Sequence, residues 1–299
     1  MTIDLASIPS PGELLRRHGL APRKSWGQNF LHAREINLEI AAAAGASKPG
    51  AHIIEIGAGL GTLTAHLLAA GANVDAIERD RDLCTVLRGE LGDLPNFRLH
   101  EADAVRFDYS ALAREQAARA GEPAGAPPES RLRPAVVGNL PYQLTGVLLF
   151  TLLDHDAATG PWIVMVQREV ADRMCSEPGS KRYGGVTAAL SRVRAIRRVC
   201  QVSRGCFLPP PRVDSAVIRL DPRPAPLGEI ADPKGYLQLV RTCFQRRRKT
   251  LANALLGVAD RDQARAWIAE AGLDPKIRPE RLGPEQFAAL QRARERDES

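Results

Sequence analysis

Three short segments end in residues that could together hold a small ligand. The first, EIGAGLGTLT (55–64), places Gly57, Gly59 and Gly61 directly after an apolar run and before a helical pattern. Glycine lets the backbone approach a ligand closely, because it has no side chain. The spacing is G-x-G-x-G, whereas the dinucleotide fingerprint is G-x-G-x-x-G. This variant suits a nucleoside cofactor that lacks a pyrophosphate.

Two acidic residues stand where the next two predicted strands end. Glu78 lies in NVDAIERD (73–80), and Asp103 lies in FRLHEADAVRFD (97–108). A carboxylate at the first position can accept hydrogen bonds from both hydroxyls of a ribose, and one at the second could bind an adenine amino group. A lone glycine turn is often only a tight loop, and a lone acid is often only a helix cap. All three in this order predict S-adenosylmethionine as the cofactor.

A fourth predicted strand stops at GNLPY (138–142), where the sequence places an aromatic ring that a plain turn does not need. Leu140 precedes Pro141, which favours an extended conformation. If the substrate is an adenine, the Asn139 side-chain oxygen and the Leu140 carbonyl could accept hydrogen bonds from its N6 amino group. Those bonds would favour a pyramidal nitrogen with its lone pair aimed at a methyl sulfonium.

The same segment predicts how the transfer would be catalysed. Pro141 would fix the loop and Tyr142 would stack on the base, so that catalysis is mostly the positioning of an in-line transfer. No strong general base is required, because the nitrogen becomes acidic once it is methylated. The target base has to leave its stack, so we expect a flipped-out or single-stranded base. The other interpretation is a proline turn with a core tyrosine.

Strand and helix patterns alternate around these residues, which predicts βαβ units and a parallel sheet. Predicted strands cover 51–59, 73–80, 97–108, 135–138 and 162–167, and predicted helices cover 36–45, 62–71, 81–91, 144–153 and 168–174. A helix followed by a basic strand is expected within 186–198, and a late strand pair within 207–222. The fold class is therefore α/β and Rossmann-like, the class I S-adenosylmethionine-dependent methyltransferase type.

The last part of the chain has a helical pattern throughout. A Pro-rich segment at 221–233 predicts a linker, so we expect one domain at 1–222 and a small all-α domain at 228–299. The expected core residues of the second domain are Trp267, Ile268, Phe287 and Leu290. A Pro-, Gly- and Ala-rich segment at 119–134 predicts a surface insertion.

The composition is that of an ordinary globular protein, with 44% hydrophobic and 25% charged residues. No apolar run approaches the 18 residues of a membrane span, and the N-terminus has no secretory signal core, so a cytoplasmic protein is expected. Five scattered cysteines and six histidines show no metal-ligand spacing, so neither a metal site nor a disulfide framework is predicted. The net charge of +6 modestly favours a polyanionic partner.

These motifs resemble those of the ribosomal RNA small-subunit adenine N6,N6-dimethyltransferase family, the KsgA/RsmA branch, over nearly the whole chain. The matching segments are KSWGQNFL (24–31), EIGAGLGTLT (55–64), IERD (77–80), EADA (101–104), GNLPY (138–142), VQREVADRM (166–174), KRYGG (181–185), FLPPPRVDSAVIRL (207–220) and QRRRKTLANAL (245–255). The insertion at 119–134 is longer than this family leads us to expect, and Ala58 stands where proline is common.

The resemblance implies roles for residues that their types alone do not reveal. Asn29 and Leu31 would contact the cofactor, with Gly57 at its methionine portion, Glu78 on the ribose and Asp103 on the adenine. Asn139 would stand between cofactor and substrate, and Tyr142 and Phe207 would sandwich the target adenine. Without the resemblance, Phe207 is equally well interpreted as a core residue. The basic strand around Arg192, Arg194, Arg197 and Arg198 and the segment 246–249 become candidate RNA contacts.

The resemblance also implies the substrate and the reaction. The enzyme would add two methyl groups to N6 of each of two adjacent adenines in the 3′-terminal hairpin of 16S ribosomal RNA, during small-subunit biogenesis. Its partners would be the small ribosomal subunit and its RNA, without membrane or DNA, and a monomer is expected. Two alternatives stay open: a large-subunit RNA dimethyltransferase of the macrolide-resistance type, and a non-catalytic ribosome-assembly or RNA-binding factor.

Overall fold

The computed structural model describes residues 8–23, 26–121 and 132–298. Ten of the residues in the predicted insertion, 122–131, lie outside that range, as do residues 24 and 25 of the N-terminal motif. The chain forms two compact units, which are Met1–Ala171 with Arg197–Asp221, and Asp172–Ile196 with Pro222–Ser299. The second unit thus takes in residues 172–196, which the sequence analysis assigned to the first domain.

Seven strands form one sheet in the order β4-β3-β2-β5-β6-β9-β7, and two short strands, β1 and β8, form a second. The strands are β1 (Phe30–Leu31), β2 (His52–Ile56), β3 (Asn73–Glu78), β4 (Phe97–Glu101), β5 (Ala135–Asn139), β6 (Trp162–Gln167), β7 (Arg194–Val202), β8 (Phe207–Leu208) and β9 (Ser215–Pro222). Strands β2 to β6 pair in parallel, and β9 pairs antiparallel with β6. This mixed sheet confirms the α/β prediction.

Helices connect the parallel strands, as crossovers require. The helices are α1 (Pro11–Arg17), α2 (Arg34–Ala44), α3 (Thr62–Ala69), α4 (Arg81–Leu91), α5 (Tyr109–Arg119), α6 (Thr145–Asp154), α7 (Arg168–Met174), α8 (Gly185–Ser191), α9 (Pro233–Gln245), α10 (Leu251–Leu255), α11 (Arg261–Glu270) and α12 (Pro284–Asp297). Within the described residues, no helix is long and apolar enough to cross a membrane.

The strand order reverses between β2 and β5, and this reversal determines where a ligand can bind. From β2 the chain continues to β3 and β4 on one side, and it then returns to β5 and β6 on the other. The loops that leave β2 and β5 therefore diverge and open a crevice at the carboxyl ends of the strands. Gly138 lets these two strands lie close together, because a Cβ atom there would stand 2.6 Å from the Ile56 carbonyl oxygen.

Two predictions for the later strands need correction. The expected strand pair in 207–222 does not form, since β8 pairs with β1 and β9 pairs with β6. The basic strand is also not uniformly solvated. Arg192 and Arg194 are buried, and the Arg192 guanidinium lies 5.2 Å from the centre of the Tyr236 ring and donates to the Gly228 carbonyl. These two cations are therefore not available to an RNA backbone.

Each unit has its own apolar core. In the second unit, the predicted core residues Trp267, Ile268, Phe287 and Leu290 are all buried in one cluster, which confirms that prediction. The core of the first unit contains the inner faces of the parallel strands together with Leu31 and Phe207. Each Å² of apolar surface that is removed from water contributes about 25 cal/mol to the free energy of folding, so such clusters are the main source of stability.

Candidate active site

A cavity of about 410 Å³ opens in the first unit at the carboxyl ends of β2, β3, β4 and β5. It brings together most of the residues that the sequence analysis selected. The cavity is lined by Asn29, Gly57, Gly59, Glu78, Asp103, Asn139, Leu140, Pro141 and Tyr142. Residues separated by more than a hundred positions in sequence thus share one surface.

The glycine turn after β2 is held by the acid that ends β3. The main-chain N–H of Gly59 donates to Glu78 Oε2 at 2.9 Å, and Oε1 accepts from the N–H groups of Arg79 and Asp80 at 2.8 and 2.9 Å. Burial raises the pKa of Glu78, and these three hydrogen bonds oppose that rise. Gly59 has a φ of 61°, and a Cβ atom there would stand 3.3 Å from the Phe30 ring. The turn therefore requires glycine for its backbone conformation.

A second carboxylate beside this turn behaves differently. Glu55, on β2, is only 2% exposed, and burial raises its pKa to about 8. Its Oε2 atom has no hydrogen-bond partner among the described residues. A carboxyl group in this setting is protonated at neutral pH, so Glu55 adds no negative charge near Glu78 under those conditions.

Arg23 and Gln28, which precede β1, attach the N-terminal part of the chain to the carboxyl edge of the sheet. Both side chains bind Asp80, the residue that caps helix α4. The Arg23 guanidinium donates to both Asp80 oxygens at 2.9 Å, and Gln28 Nε2 donates to Oδ2 at 2.8 Å. The Trp26 indole, 41% exposed, lines the cavity with the Arg79 guanidinium 4.5 Å from its ring centre. These contacts hold Trp26 and Gln28 at the wall of the cavity beside Arg79.

The loop after β5 is anchored to three different parts of the first unit. Asn139 Nδ2 donates to the Asn29 carbonyl at 3.0 Å, and the Leu140 N–H donates to the Met165 carbonyl at 3.1 Å. The hydroxyl of Tyr142 lies 2.8 Å from Ser215 Oγ. The Asn139 amide is therefore oriented by its nitrogen, which leaves the side-chain oxygen as its remaining polar atom.

Asp103 follows β4 at the far side of the cavity. Its Oδ1 atom accepts from the N–H of Val105 at 3.0 Å, which turns the chain after the strand. The carboxylate is exposed and lines the cavity. An adenine amino group could reach it there.

Two selected residues, Leu31 and Phe207, do not line the cavity. They face each other across the β1–β8 pair, and both are buried in the core of the first unit. The reason is strand alternation, because neighbouring side chains point to opposite faces. Phe30, which the sequence analysis did not select, lines the cavity instead, and the Leu31 carbonyl accepts from Thr62 Oγ1 at 3.0 Å.

Other lining residues that the sequence analysis did not select include Trp26, Gln28 and Arg79. They stand close in sequence to the motif residues Asn29 and Glu78, and this proximity is the signal that could have identified them. Ser215 was also missed, and its contact with Tyr142 joins residues 73 positions apart. Among the described residues, no group of three His, Cys, Asp or Glu side chains is placed to hold a metal ion.

Five parallel strands with a glycine turn and two acids at their carboxyl ends define a Rossmann-like class I methyltransferase fold. Residues 19–293 match the family described as ribosomal RNA adenine dimethylase. The chain belongs to this family, which confirms the prediction of an rRNA adenine dimethyltransferase.

Individual relatives agree with this assignment. The chain is 47% identical to the ribosomal RNA small subunit methyltransferase A of Anaeromyxobacter dehalogenans strain 2CP-C, over 95% of this chain and 98% of the relative. It is 39% identical to the protein of the same name from Myxococcus xanthus strain DK1622, over 96% and 95% of the two chains.

Solved structures are similar in fold. A dimethyladenosine transferase from Plasmodium falciparum aligns with a TM-score of 0.67 at 25% identity, over 87% of this chain and 95% of that one. The 23S rRNA methyltransferase ErmE aligns with a TM-score of 0.62 at 27% identity, over 89% and 99%. The relatives named for the small subunit are thus more similar in sequence to this chain than the 23S rRNA methyltransferase ErmE is.

Proposed function

We propose that this protein transfers methyl groups from S-adenosylmethionine to N6 of two adjacent adenines in the 3′-terminal hairpin of small-subunit ribosomal RNA. The observation that carries the proposal is the single cavity shared by the glycine turn, Glu78, Asp103 and the loop from Asn139 to Tyr142. The names of the relatives support the choice of RNA.

The residues that line the cavity fit a nucleoside cofactor. Gly57 has open space where a Cβ atom would stand, so its backbone can approach the methionine portion closely. Each oxygen of Glu78 already accepts backbone N–H groups, and carboxylate oxygens have further lone pairs for the two ribose hydroxyls. Asp103 would accept from the adenine amino group, and Asn29 would hold its segment in place through Asn139.

When bound, the cofactor supplies an electrophilic methyl group on a sulfonium. The chain's own residues position the acceptor. The Asn139 side-chain oxygen and the Leu140 carbonyl accept hydrogen bonds from the N6 amino group, while Pro141 fixes the loop and Tyr142 stacks on the base. Transfer then depends on orientation rather than on a strong base. The adenine must be unstacked before it can enter.

Phe207 is left out of this arrangement, because its ring is buried and does not line the cavity. Leu31 acts through its carbonyl, which fixes the start of α3 behind the glycine turn. In the second unit the side chains of residues 246–249 are exposed, and we include them as contacts for the RNA backbone.

Methyl transfer from radiolabelled S-adenosylmethionine tests the proposal. The substrates are small subunits from cells that lack this methylation, naked small-subunit RNA and naked large-subunit RNA, and the products are analysed as nucleosides. The proposal predicts N6,N6-dimethyladenosine in the small subunit. Label in naked large-subunit RNA would favour the macrolide-resistance alternative. Bound cofactor and bound subunit without label would favour the non-catalytic assembly factor.

A further inference from the structure

The ring of Tyr142 is held at its far end by a residue to which the sequence analysis assigned no role. The Tyr142 hydroxyl lies 2.8 Å from Oγ of Ser215, the first residue of β9. Ser215 is fully buried, whereas Tyr142 is half-buried and lines the cavity. The hydrogen bond thus connects a cavity residue to a fixed point in the interior of the first unit.

The sheet topology explains why Ser215 reaches this loop. Strand β9 is antiparallel to β6, and Ser215 pairs with Gln167, the last residue of β6. Met165 of β6 pairs in turn with Asn139 at the end of β5. An antiparallel strand begins at the edge where its parallel neighbours end. Ser215 therefore lies at the carboxyl edge of the sheet, which is where the loop from Asn139 to Tyr142 departs.

The position of Ser215 is itself fixed by the residue before it. The Asp214 carbonyl accepts from the N–H of Arg168 at 3.0 Å, and its Oδ1 accepts from the N–H of Arg204 at 3.1 Å. The Arg168 side chain adds an ion pair with Asp214 at 3.5 Å. The start of β9 is thus tied to two other segments, so the hydroxyl presented to Tyr142 has little freedom to move.

The other anchors of the loop act on residues before the tyrosine. Asn139 is bonded to the Asn29 carbonyl, and Leu140 is bonded through its main chain to Met165. Neither bond involves the side chain of Tyr142. The hydrogen bond to Ser215 holds the phenol oxygen at the end of the ring opposite the backbone, so it fixes the direction in which the ring points.

We propose that Ser215 is a positioning residue, whose hydroxyl holds the Tyr142 ring in the place where it stacks on the target adenine. This inference rests on the proposed function. A stacked adenine lies over the ring beneath it, so a ring that is held in one place also holds the N6 nitrogen in one place. The second transfer is the more demanding step, because a nitrogen that already carries a methyl group must return to the same place.

Two variants remove the same hydrogen bond from opposite sides. Ser215→Ala deletes the buried hydroxyl, and Tyr142→Phe deletes the phenol oxygen while it keeps the aromatic ring. Matched controls are Ser110→Ala, whose hydroxyl lies 2.8 Å from His155 Nδ1, and Tyr236→Phe, whose hydroxyl donates to the Ala188 carbonyl at 3.0 Å. None of these control residues lines the cavity.

Both test variants are expected to lower kcat for dimethylation by about three- to tenfold, which is the typical effect of one hydrogen bond. The Kd for S-adenosylmethionine stays within about twofold of the parent, and the share of N6-monomethyladenosine among the products rises. The double variant is no slower than either single variant, because both changes remove one interaction. The controls leave kcat and the product ratio at the parental values.

Any of three outcomes would overturn the inference. Tyr142→Phe could keep the parental kcat and product ratio, or the double variant could lose as much kcat as the two single variants combined. The controls could also lose as much kcat as the test variants. If Ser215→Ala does not fold, the Tyr142→Phe result alone decides, since it removes the same bond without emptying a buried position. An inactive parent chain would overturn the proposed function and the positioning role together, whereas an active parent with unaffected variants overturns only the positioning role.

Discussion

The main-chain N–H of Gly59 donates a hydrogen bond of 2.9 Å to Oε2 of Glu78, so the turn after β2 and the acid that ends β3 are structurally coupled. The other oxygen of Glu78 holds the N–H groups of Arg79 and Asp80. One carboxylate thus shapes the glycine turn, and in the proposed function it also offers lone pairs to a ribose. A change at Glu78 is expected to affect both the fold and the cofactor site.

Replacement of Glu78 by glutamine tests this dual role. An amide has one acceptor oxygen where the carboxylate has two, so backbone donors lose their charged partner. We expect cofactor affinity to fall at least tenfold, and the free energy of unfolding to fall by about 1–3 kcal/mol. Calorimetric titration and urea unfolding measure these changes. Glu101→Gln, at the end of β4 and off the cavity wall, is the control. Parental affinity in the Glu78 variant would contradict the assignment.

The buried Glu55 is expected to make stability depend on pH. Its pKa in the folded protein is about 8, well above the ordinary value of 4.5. Between these two pH values the folded state keeps a proton that the unfolded state has lost. Stability therefore falls as pH rises, with a limiting slope of about 1.4 kcal/mol per pH unit.

Glu55→Gln removes this dependence while it keeps the size of the side chain. The stability of the variant relative to the parent should rise steadily from about pH 5 to about pH 8, as measured by urea unfolding at several pH values. Glu115→Gln, an exposed residue of α5, should give a curve parallel to that of the parent. A parallel curve for Glu55→Gln would show that Glu55 is ionised in the folded protein.

Asp75, a buried residue of β3, is expected to contribute stability that is lost in acid. Burial raises its pKa, but hydrogen bonds from His100 and Gln116 and the charge of Arg119 outweigh burial, so the pKa is lowered overall. A lowered pKa gives stability that is present above the unfolded value of 3.8 and is lost as pH falls through the folded value.

Asp75→Asn should therefore lower the free energy of unfolding by about 2–4 kcal/mol at neutral pH, because it leaves buried donors without a charged partner. The gap between parent and variant should narrow only below about pH 4, where the unfolded parent takes up a proton that the folded parent still excludes. Asp262→Asn, exposed on α11, serves as the control. A gap that is constant down to about pH 3 would contradict the ionic role of Asp75.

Arg23 is expected to act on cofactor binding through the N-terminal segment. It holds Asp80 by two hydrogen bonds of 2.9 Å, and the segment that follows lines the cavity. Since the guanidinium is partly exposed, Arg23→Ala should cost at most about 1 kcal/mol of stability. Cofactor affinity should fall by about three- to tenfold, because the lining segment loses its anchor.

The control for Arg23 is Arg17→Ala, which removes a comparable ion pair with Glu90 away from the cavity. Its cofactor affinity should equal that of the parent in the same calorimetric titration. Equal affinity in both variants would mean that the Arg23–Asp80 contact does not organise the site.

Features of the chain that depend on local pattern could be predicted from the sequence. Alternating strand and helix patterns indicated the parallel sheet, and motif residues at the ends of β2 to β5 meet in one cavity because parallel strands end at the same edge. The apolar periodicity of the last helices likewise indicated Trp267 and Phe287 as core residues.

Features that depend on contacts between distant residues could not be predicted from the sequence. Ser215 meets Tyr142 only because β9 inserts antiparallel beside β6, which no local pattern reveals. The two-residue strand β1 is too short to show an alternation, so Leu31 could not be told from Phe30 as the cavity residue. Arg194 lies in a basic run that the resemblance made a candidate RNA contact, yet it is fully buried.

The central claim is that the cavity binding the cofactor also presents the adenine nitrogen to it through Asn139. The most direct measurement is the amount of N6,N6-dimethyladenosine formed on small subunits by the parent and by Asn139→Ala, with S-adenosylmethionine affinity measured in parallel. We predict that the variant keeps cofactor affinity within about tenfold but loses at least about a hundredfold in transfer rate, because the nitrogen is no longer oriented. Transfer by the variant at the parental rate would contradict the account.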